Sequence, residues 1–427
     1  MHRIDYAKSN FPSAMLAFEG KKLMRISKLC QNIAPSATLK INEQAGILRS
    51  KGLNVISLGA GEPDFDTPSF IREAAVRAME GGQTRYTPVS GTMPLRQAVC
   101  DHLMREKQLS YAPNQVIICT GAKQALMNAL AALLDPGDEV ILPAPCWVSY
   151  PEMIAMAGGK AVWVHATAEE GFVPPIERIR AAVTERTRAI IINSPSNPTG
   201  AVWTREQLMA VGALAVEKDL CIISDEIYDQ LVYDGAEAVS PASLSPAVYA
   251  RTVVINGWSK AYAMTGWRLG YAAGPKALIA AMSAYQSHFT GNPNSIAQAA
   301  GLAALQGDQQ CVREMASAFA ARRNMMLALM EKMPQISCFV PSGAFYLLLD
   351  VRSALGKRWG DQVIHTSEDF ARVLLDAAQV AVVPGDAFGA PGYCRVSYAA
   401  ANDQLIEAMR RIRRFLNDLF ALQAMEA

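Results

Sequence analysis

Between Gln115 and Ser224 the chain repeats one unit, in which an apolar run leads through a turn into a helical stretch. The runs are Val116 to Cys119, Glu139 to Leu142, Ala161 to His165, Ala189 to Ile192 and Leu220 to Ser224. Helices are predicted over Gln124 to Leu134, closed by Asp135-Pro136-Gly137, and over Arg205 to Lys218. Strands that are apolar throughout, rather than alternating, are buried on both faces, and helices interposed between them imply a largely parallel sheet. The expected class is therefore α/β, with helices covering both sides of the sheet. In such sheets ligands collect beyond the carboxyl ends of the strands.

Three segments fall there: Trp147 within Pro145 to Tyr150, the polar stretch Asn193 to Gly200, and Asp225-Glu226-Ile227-Tyr228. Taken singly, Trp147 reads as core and Asn197-Pro198 as a turn, while Asp225 reads equally as a helix N-cap. A fourth segment, Thr120-Gly121-Ala122-Lys123, opens a helix, and its free N–H groups and positive dipole end suit a phosphate. Many α/β crossovers carry such a turn, and this one is neither GxxxxGK[ST] nor GxGxxG.

Residues 252 to 271 say more. Thr252 to Ile255 is a β-branched run that breaks at Asn256-Gly257 into a turn bearing Ser259 and Lys260. Eight residues on, Arg268 stands between Trp267 and Leu269, where a semi-buried guanidinium is expected to meet a fixed anion. A lysine held partly desolvated forms Schiff bases with carbonyl compounds, and pyridoxal 5'-phosphate supplies both a carbonyl and a phosphate. Arg395 lies inside another short strand, Cys394-Arg395-Val396-Ser397-Tyr398. An arginine without a function there would need an edge, and a planar guanidinium suits two-point recognition of a carboxylate.

The segment around Lys260 resembles the cofactor-lysine signature of the fold-type I pyridoxal-phosphate aminotransferases, in the branch that includes bacterial aspartate aminotransferases. The likeness runs from about Met24 to Leu419. It implies a large domain with a mainly parallel sheet and a smaller α/β domain, with Lys260 holding the cofactor and then moving protons. It further implies that Trp147 stacks on the cofactor ring, that Asn197 and Tyr228 bond its phenolic oxygen, and that Asp225 pairs with its pyridine nitrogen. Gly121, Ala122, Lys123, Ser259 and Arg268 would surround the phosphate, with Tyr86 of the Tyr86-Thr87-Pro88 loop reaching in from a second subunit of a homodimer. Gly61, in Gly61-Glu62-Pro63-Asp64-Phe65, would lie with Trp147 and Asn197 beside the substrate, whose α-carboxylate Arg395 would fix. Two positions depart from the pattern. Gly257 stands where some relatives have serine, which removes one phosphate bond, and Ala34 stands where some relatives handling dicarboxylates have lysine. The activity implied is transamination between aspartate or glutamate and a 2-oxo acid such as 2-oxoglutarate, with aromatic donors accepted as well. The alternatives are an aromatic or other broad-specificity aminotransferase, a pyridoxal-phosphate β-lyase, or an aminotransferase-like effector sensor. The last needs an N-terminal DNA-binding domain, and residues 1 to 23 show no helix-turn-helix pattern.

At 427 residues and 51% hydrophobic the chain can bury a core large enough for two domains. The expected division is an extension over 1–23, a small-domain segment over 24–69, a large cofactor-binding domain over 70–310, and a second small-domain segment over 311–427. Forty basic against 39 acidic residues give a net charge of +1, so no global field favours nucleic acid or an anionic membrane. Eight scattered cysteines without CxxC, and no histidine at ligand spacing, predict neither a disulfide framework nor a metal site and point to a reducing cytoplasm. No apolar run approaches the ~18 residues of a membrane span. The first 23 residues lack the continuous apolar stretch of a signal peptide. His288 is expected in a loop or interface rather than as a base.

Overall fold

The computed structural model describes residues 24–35 and 37–424. Contacts divide the chain into one unit up to Pro35 and another from Ser36 onward. In the first, a short helix over Lys28–Asn32 is capped by Ser27, whose Oγ accepts from the Cys30 N–H at 3.2 Å. The expected extension over residues 1–23 lies outside the described residues.

The second unit is built on a seven-stranded sheet. Its strands are β1 (Val116–Cys119), β2 (Glu139–Ala144), β3 (Lys160–His165), β4 (Thr187–Asn193), β5 (Cys221–Asp225), β6 (Thr252–Gly257) and β7 (Gly270–Ala273), in the order β1-β7-β6-β5-β4-β2-β3. All pairings are parallel except those of β7, which runs antiparallel to both β1 and β6. The apolar runs explain this. Every residue of β1 and β6 is buried, as strands covered on both faces must be. The connection from β6 to β7 holds only a short 3-10 turn over Thr265–Trp267 and no α-helix, consistent with the reversal at β7, since a parallel crossover usually carries a helix.

Three helices pack against β1, among them the two that flank it in sequence. Helix α1 (Met93–Lys107) ends with Gln108 in the left-handed conformation, and α2 (Ala122–Leu133) begins immediately after β1 at Gly121, whose φ is 81°. Close packing of β7 against this start requires glycine: a Cβ on Gly270 would stand 2.3 Å from the Ala122 nitrogen. The same closeness explains Gly257, where a Cβ would stand 2.8 Å from the Gly270 Cα. A side chain there would push β6 from β7.

A second, antiparallel sheet contains β8 (Ser337–Cys338), β9 (Tyr346–Asp350), β10 (Val383–Pro384) and β11 (Tyr393–Ser397), in the order β10-β11-β9-β8. Arg395 sits mid-strand in β11, paired with Leu348 on one side and Val383 on the other. It therefore occupies an interior strand, where an arginine needs a partner. Helices over Gln310–Met330, Ser367–Ala378 and Asn402–Ala424 supply Phe319, Phe370 and Leu416 to the core around this sheet. His288, expected in a loop or interface, lies not in a loop but exposed in the last turn of the helix Lys276–Phe289. The apolar pattern carries that helix one turn further than its polar Gln286-Ser287-His288 ending suggested. No helix among the described residues is long and apolar enough to cross a membrane.

Candidate active site

The carboxyl ends of β4, β5 and β6 carry Asn193, Asp225 and Gly257, and the site begins there. Asp225 is 3% exposed. Its Oδ2 accepts from the Tyr150 hydroxyl at 2.7 Å and its Oδ1 from the Ile227 N–H at 3.3 Å. No helix follows, so the aspartate closes a local turn rather than capping a helix. Burial pushes its carboxyl up to about 6, against the lowering effect of the Tyr150 and Ile227 hydrogen bonds. A cation or a protonated ring nitrogen brought beside it would draw it back toward the ordinary carboxylate range.

Lys260 follows β6 by three residues, and its Nζ donates to the Gly61 carbonyl at 2.5 Å. The amine also lies 5.9 Å from the ring centres of Tyr228 and Phe345. Burial lowers it to about 8, with Glu62 opposing and the positive Arg268 and Arg395 reinforcing the shift. An amine so poised is a nucleophile near neutral pH. The structure thus joins Lys260 to the Gly61 loop, 199 residues away in sequence.

Arg395 is 1% exposed. Its Nη1 donates to Asn197 Oδ1 at 2.9 Å and its Nη2 to the Gly59 carbonyl at 3.0 Å, while Nε is buried without a partner. Its guanidinium lies 4.4 Å from the Tyr346 ring centre and 5.0 Å from that of Phe388. Among the described residues no carboxylate pairs with it. Asn197, with its amide oxygen committed to Arg395 and its backbone N–H to Asn193 Oδ1, keeps its amide N–H groups for an acceptor. Tyr228 is buried and shares a 2.9 Å hydrogen bond with the Tyr346 hydroxyl.

The anion end is the start of α2. Gly121 is seated against Arg268: a Cβ on Gly121 would stand 2.7 Å from Arg268 Nη2. The first two N–H groups of α2, those of Ala122 and Lys123, have no helical acceptor, while the Gln124 N–H already donates to the Gly121 carbonyl at 3.1 Å. Arg268 corrects the sequence reading. Its neighbours Trp267 and Leu269 are half-buried and buried, but Arg268 is exposed, because its φ of 53° turns the side chain away from them; its Nη1 holds the Thr265 carbonyl at 2.8 Å. Lys123 extends from α2 to place its ammonium 4.8 Å from the Trp147 ring centre, and burial and then Arg268 lower its pKa. Ser259 is buried in the turn before Lys260. Tyr86 is 98% exposed and touches none of these groups. Neither Tyr150 nor Tyr346 was singled out from sequence, though Tyr150 follows Trp147 by one helical turn and meets its ring edge-on at 5.3 Å.

The groups therefore offer four chemistries: a cationic cradle at a helix start, an acid awaiting a cation, a deprotonatable amine, and an unpaired guanidinium. This set fits a molecule bearing a phosphate, a protonated ring nitrogen and a carbonyl, together with a carboxylate-bearing substrate. Among the described residues no cluster of three or more His, Cys, Asp and Glu could hold a metal ion.

The Lys260 shift has a measurable sign. Below pH 8 the amine is protonated in folded and unfolded chains alike, and its burial cost is fully present. Between about 8 and 10.5 the unfolded chain keeps a proton that the folded chain has shed, so stability rises with pH. Lys260→Met should therefore stabilise the apoprotein at pH 7 by about 2 kcal/mol, taking ~1.4 kcal/mol per pKa unit and discounting for partial exposure. Denaturant titrations should show the gap closing by pH 10.5. Equal stability of the two apoproteins at pH 7 would show that the amine is not held against its charge.

Comparison with known proteins agrees with this geometry. The family described as aminotransferase class I and II matches residues 54–412. An aspartate aminotransferase of Geobacillus stearothermophilus is 47% identical over 393 residues, 92% of this chain and 99% of that protein. An aspartate/prephenate aminotransferase of Cereibacter sphaeroides is 47% identical over 392 residues, 91% of this chain and 98% of that one. Among solved structures, the aspartate aminotransferase from Thermus thermophilus with maleate superposes with a TM-score of 0.86 at 45% identity, covering 92% of this chain and 100% of that chain. The aspartate aminotransferase from Rhizobium meliloti gives 0.89 at 41% identity, covering 92% and 99%. A site built from a buried lysine amine, a buried aspartate and an unpaired arginine, on a fold shared across nearly the whole length of these enzymes, places the chain in the class I and II aminotransferases, which use pyridoxal 5'-phosphate.

Proposed function

We propose that this chain transfers the amino group of aspartate, and of aromatic amino acids beside it, to a 2-oxo acid such as 2-oxoglutarate. The observation that carries the reading is Arg395, a buried guanidinium with no carboxylate partner, standing across the Gly59–Gly61 loop from the amine of Lys260. When bound, pyridoxal 5'-phosphate supplies a carbonyl for amines and an electron sink for the pair left when a Cα–H bond breaks. The residues do the rest. Gly121, Ala122, Ser259, Arg268 and Lys123 are read as holding the phosphate. Asp225 keeps a proton on the ring nitrogen, with Tyr150 fixing the carboxylate. Asn197 and Tyr228 donate to the phenolic oxygen, and Trp147 covers the ring. Arg395 grips the substrate α-carboxylate and, with Gly61, orients the Cα–H bond toward Lys260 Nζ, which takes the proton and returns it. Alignment of that bond is worth as much as affinity.

Aspartate is supported by the relatives named for it and by the one solved with maleate, a dicarboxylate. A distal carboxylate needs a cation, and Ala34 supplies none. Since Lys123 is read as holding the phosphate, another residue, or one from the partner subunit, must supply that cation. The relatives named for prephenate as well as aspartate favour the broader donor range. We further propose a homodimer in which Tyr86, fully exposed on one chain, completes the phosphate site of the other. We keep the expected division into a large domain over 70–310 and a small domain from 24–69 and 311–427, and a cytoplasmic setting, in line with the unpaired cysteines.

Borohydride reduction of the holoenzyme followed by peptide mapping should place the cofactor adduct on Lys260, and Lys260→Ala should abolish turnover while leaving the fold intact. An adduct on Lys123 would sink the assignment. For the substrate, kcat/KM for aspartate should exceed that for phenylalanine by less than roughly 10⁴-fold, since loss of one charged contact relaxes discrimination by a few kcal/mol at most. No aspartate turnover would remove the chain from this branch. For the dimer, mixing inactive Lys260→Ala and Tyr86→Phe chains should restore activity, because one site of each mixed dimer then carries neither change; an active monomer contradicts sharing.

A further inference from the structure

Lys107 closes α1, and its ammonium is bonded to Glu226 and lies 2.6 Å from Asp229 Oδ2. The three side chains expose 7%, 3% and 4% of their surface. Burying one cation and two anions costs solvation that an apolar cluster of the same shape would not. Such a network needs a reason beyond stability. Burial works against the ammonium, but Asp229 and Glu226 outweigh it and hold its pKa above lysine's ordinary value.

The network's other bonds show what it holds. Glu226 also accepts from the Ser224 hydroxyl at 2.8 Å and the Ser240 hydroxyl at 2.6 Å. Asp229 accepts from Asn256 Nδ2 at 2.9 Å. Glu226 follows Asp225, Asp229 follows Tyr228, and Asn256 lies in β6 four residues before Lys260. Lys107 bonds none of Asp225, Tyr228 and Lys260, yet its two partners bracket the turn carrying the first two and reach the strand that leads to the third. Without its ammonium, two buried carboxylates face each other across that turn and must move apart or take up a proton.

We propose that Lys107 is a positioning residue for this site, fixing the 225–229 turn and the end of β6 so that Asp225, Tyr228 and Lys260 meet cofactor and substrate in register. The inference rests on the aminotransferase reading. Lys107→Met is compared with wild type as holoenzyme, and each apoenzyme is titrated with pyridoxal 5'-phosphate. By analogy with supporting residues elsewhere, kcat and cofactor affinity should each fall ~10- to 100-fold. The donor KM should change less than ~3-fold, because Arg395 lies on β11 outside the network. Lys107→Met/Glu226→Gln, which removes one of the two uncompensated charges, should recover part of both. A variant that loses thermal stability yet keeps wild-type kcat and cofactor affinity where it is folded overturns the proposal. If Lys107→Met does not fold, the near-isosteric Asp229→Asn should show the same pattern on a smaller scale, and unchanged kcat and affinity there overturn it equally. A wild-type enzyme that neither binds the cofactor nor transaminates would instead overturn the functional reading on which the inference rests.

Discussion

A charge withdrawn from water without a partner strains a folded chain more than almost any other group. Here β5, the turn after β6, and β11 each present one. Among the described residues Asp225, Lys260 and Arg395 enter no ion pair, and what they have instead are neutral contacts: a tyrosine hydroxyl, a backbone carbonyl, an asparagine amide. These bonds orient the groups without discharging them. The sheets on either side supply the apolar mass that keeps water out, and the site remains electrostatically unsatisfied until a molecule of complementary charge arrives. Its selectivity for a phosphorylated pyridine aldehyde and an α-amino acid is the outward face of that condition.

The backbone around the site obeys a second constraint, close approach. Strand β7 lies against both β6 and the start of α2, and Gly257, Gly270 and Gly121 leave no room for side chains at those crossings. This compression brings the helix start, Arg268 and the Lys260 turn within reach of one ligand. Cradle and amine are thus positioned by the same packing.

Much of this was legible in the chain. Fully apolar runs predicted the parallel sheet because burial on both faces leaves no polar alternation; the polar residue just past the β6 run drew attention to Lys260, whereas Asp225 alone read equally as a helix N-cap and stood out only through the family resemblance. Arg395 was legible as an ion inside a strand. Arg268 was misjudged because its exposure depends on a left-handed backbone angle, which its apolar neighbours do not encode. Tyr150, Tyr346 and Lys107 escaped notice because their partners lie 75, 118 and 119 residues away. A tyrosine or lysine in a helix or strand carries no mark of a hydrogen bond closed across the fold; only the assembled topology supplies it.

The bond between Arg395 Nη1 and Asn197 Oδ1 ties the four-stranded sheet to the loop after β4. In the proposed reading, recognition of the α-carboxylate and control of the asparagine amide therefore share one lever. In directed evolution toward amine donors lacking a carboxylate, removing the arginine would also free the asparagine to rotate, so gains in acceptance would arrive with losses in chemistry. A lineage that escapes this trap must first give the asparagine oxygen another donor, and that order of substitutions is built into the geometry.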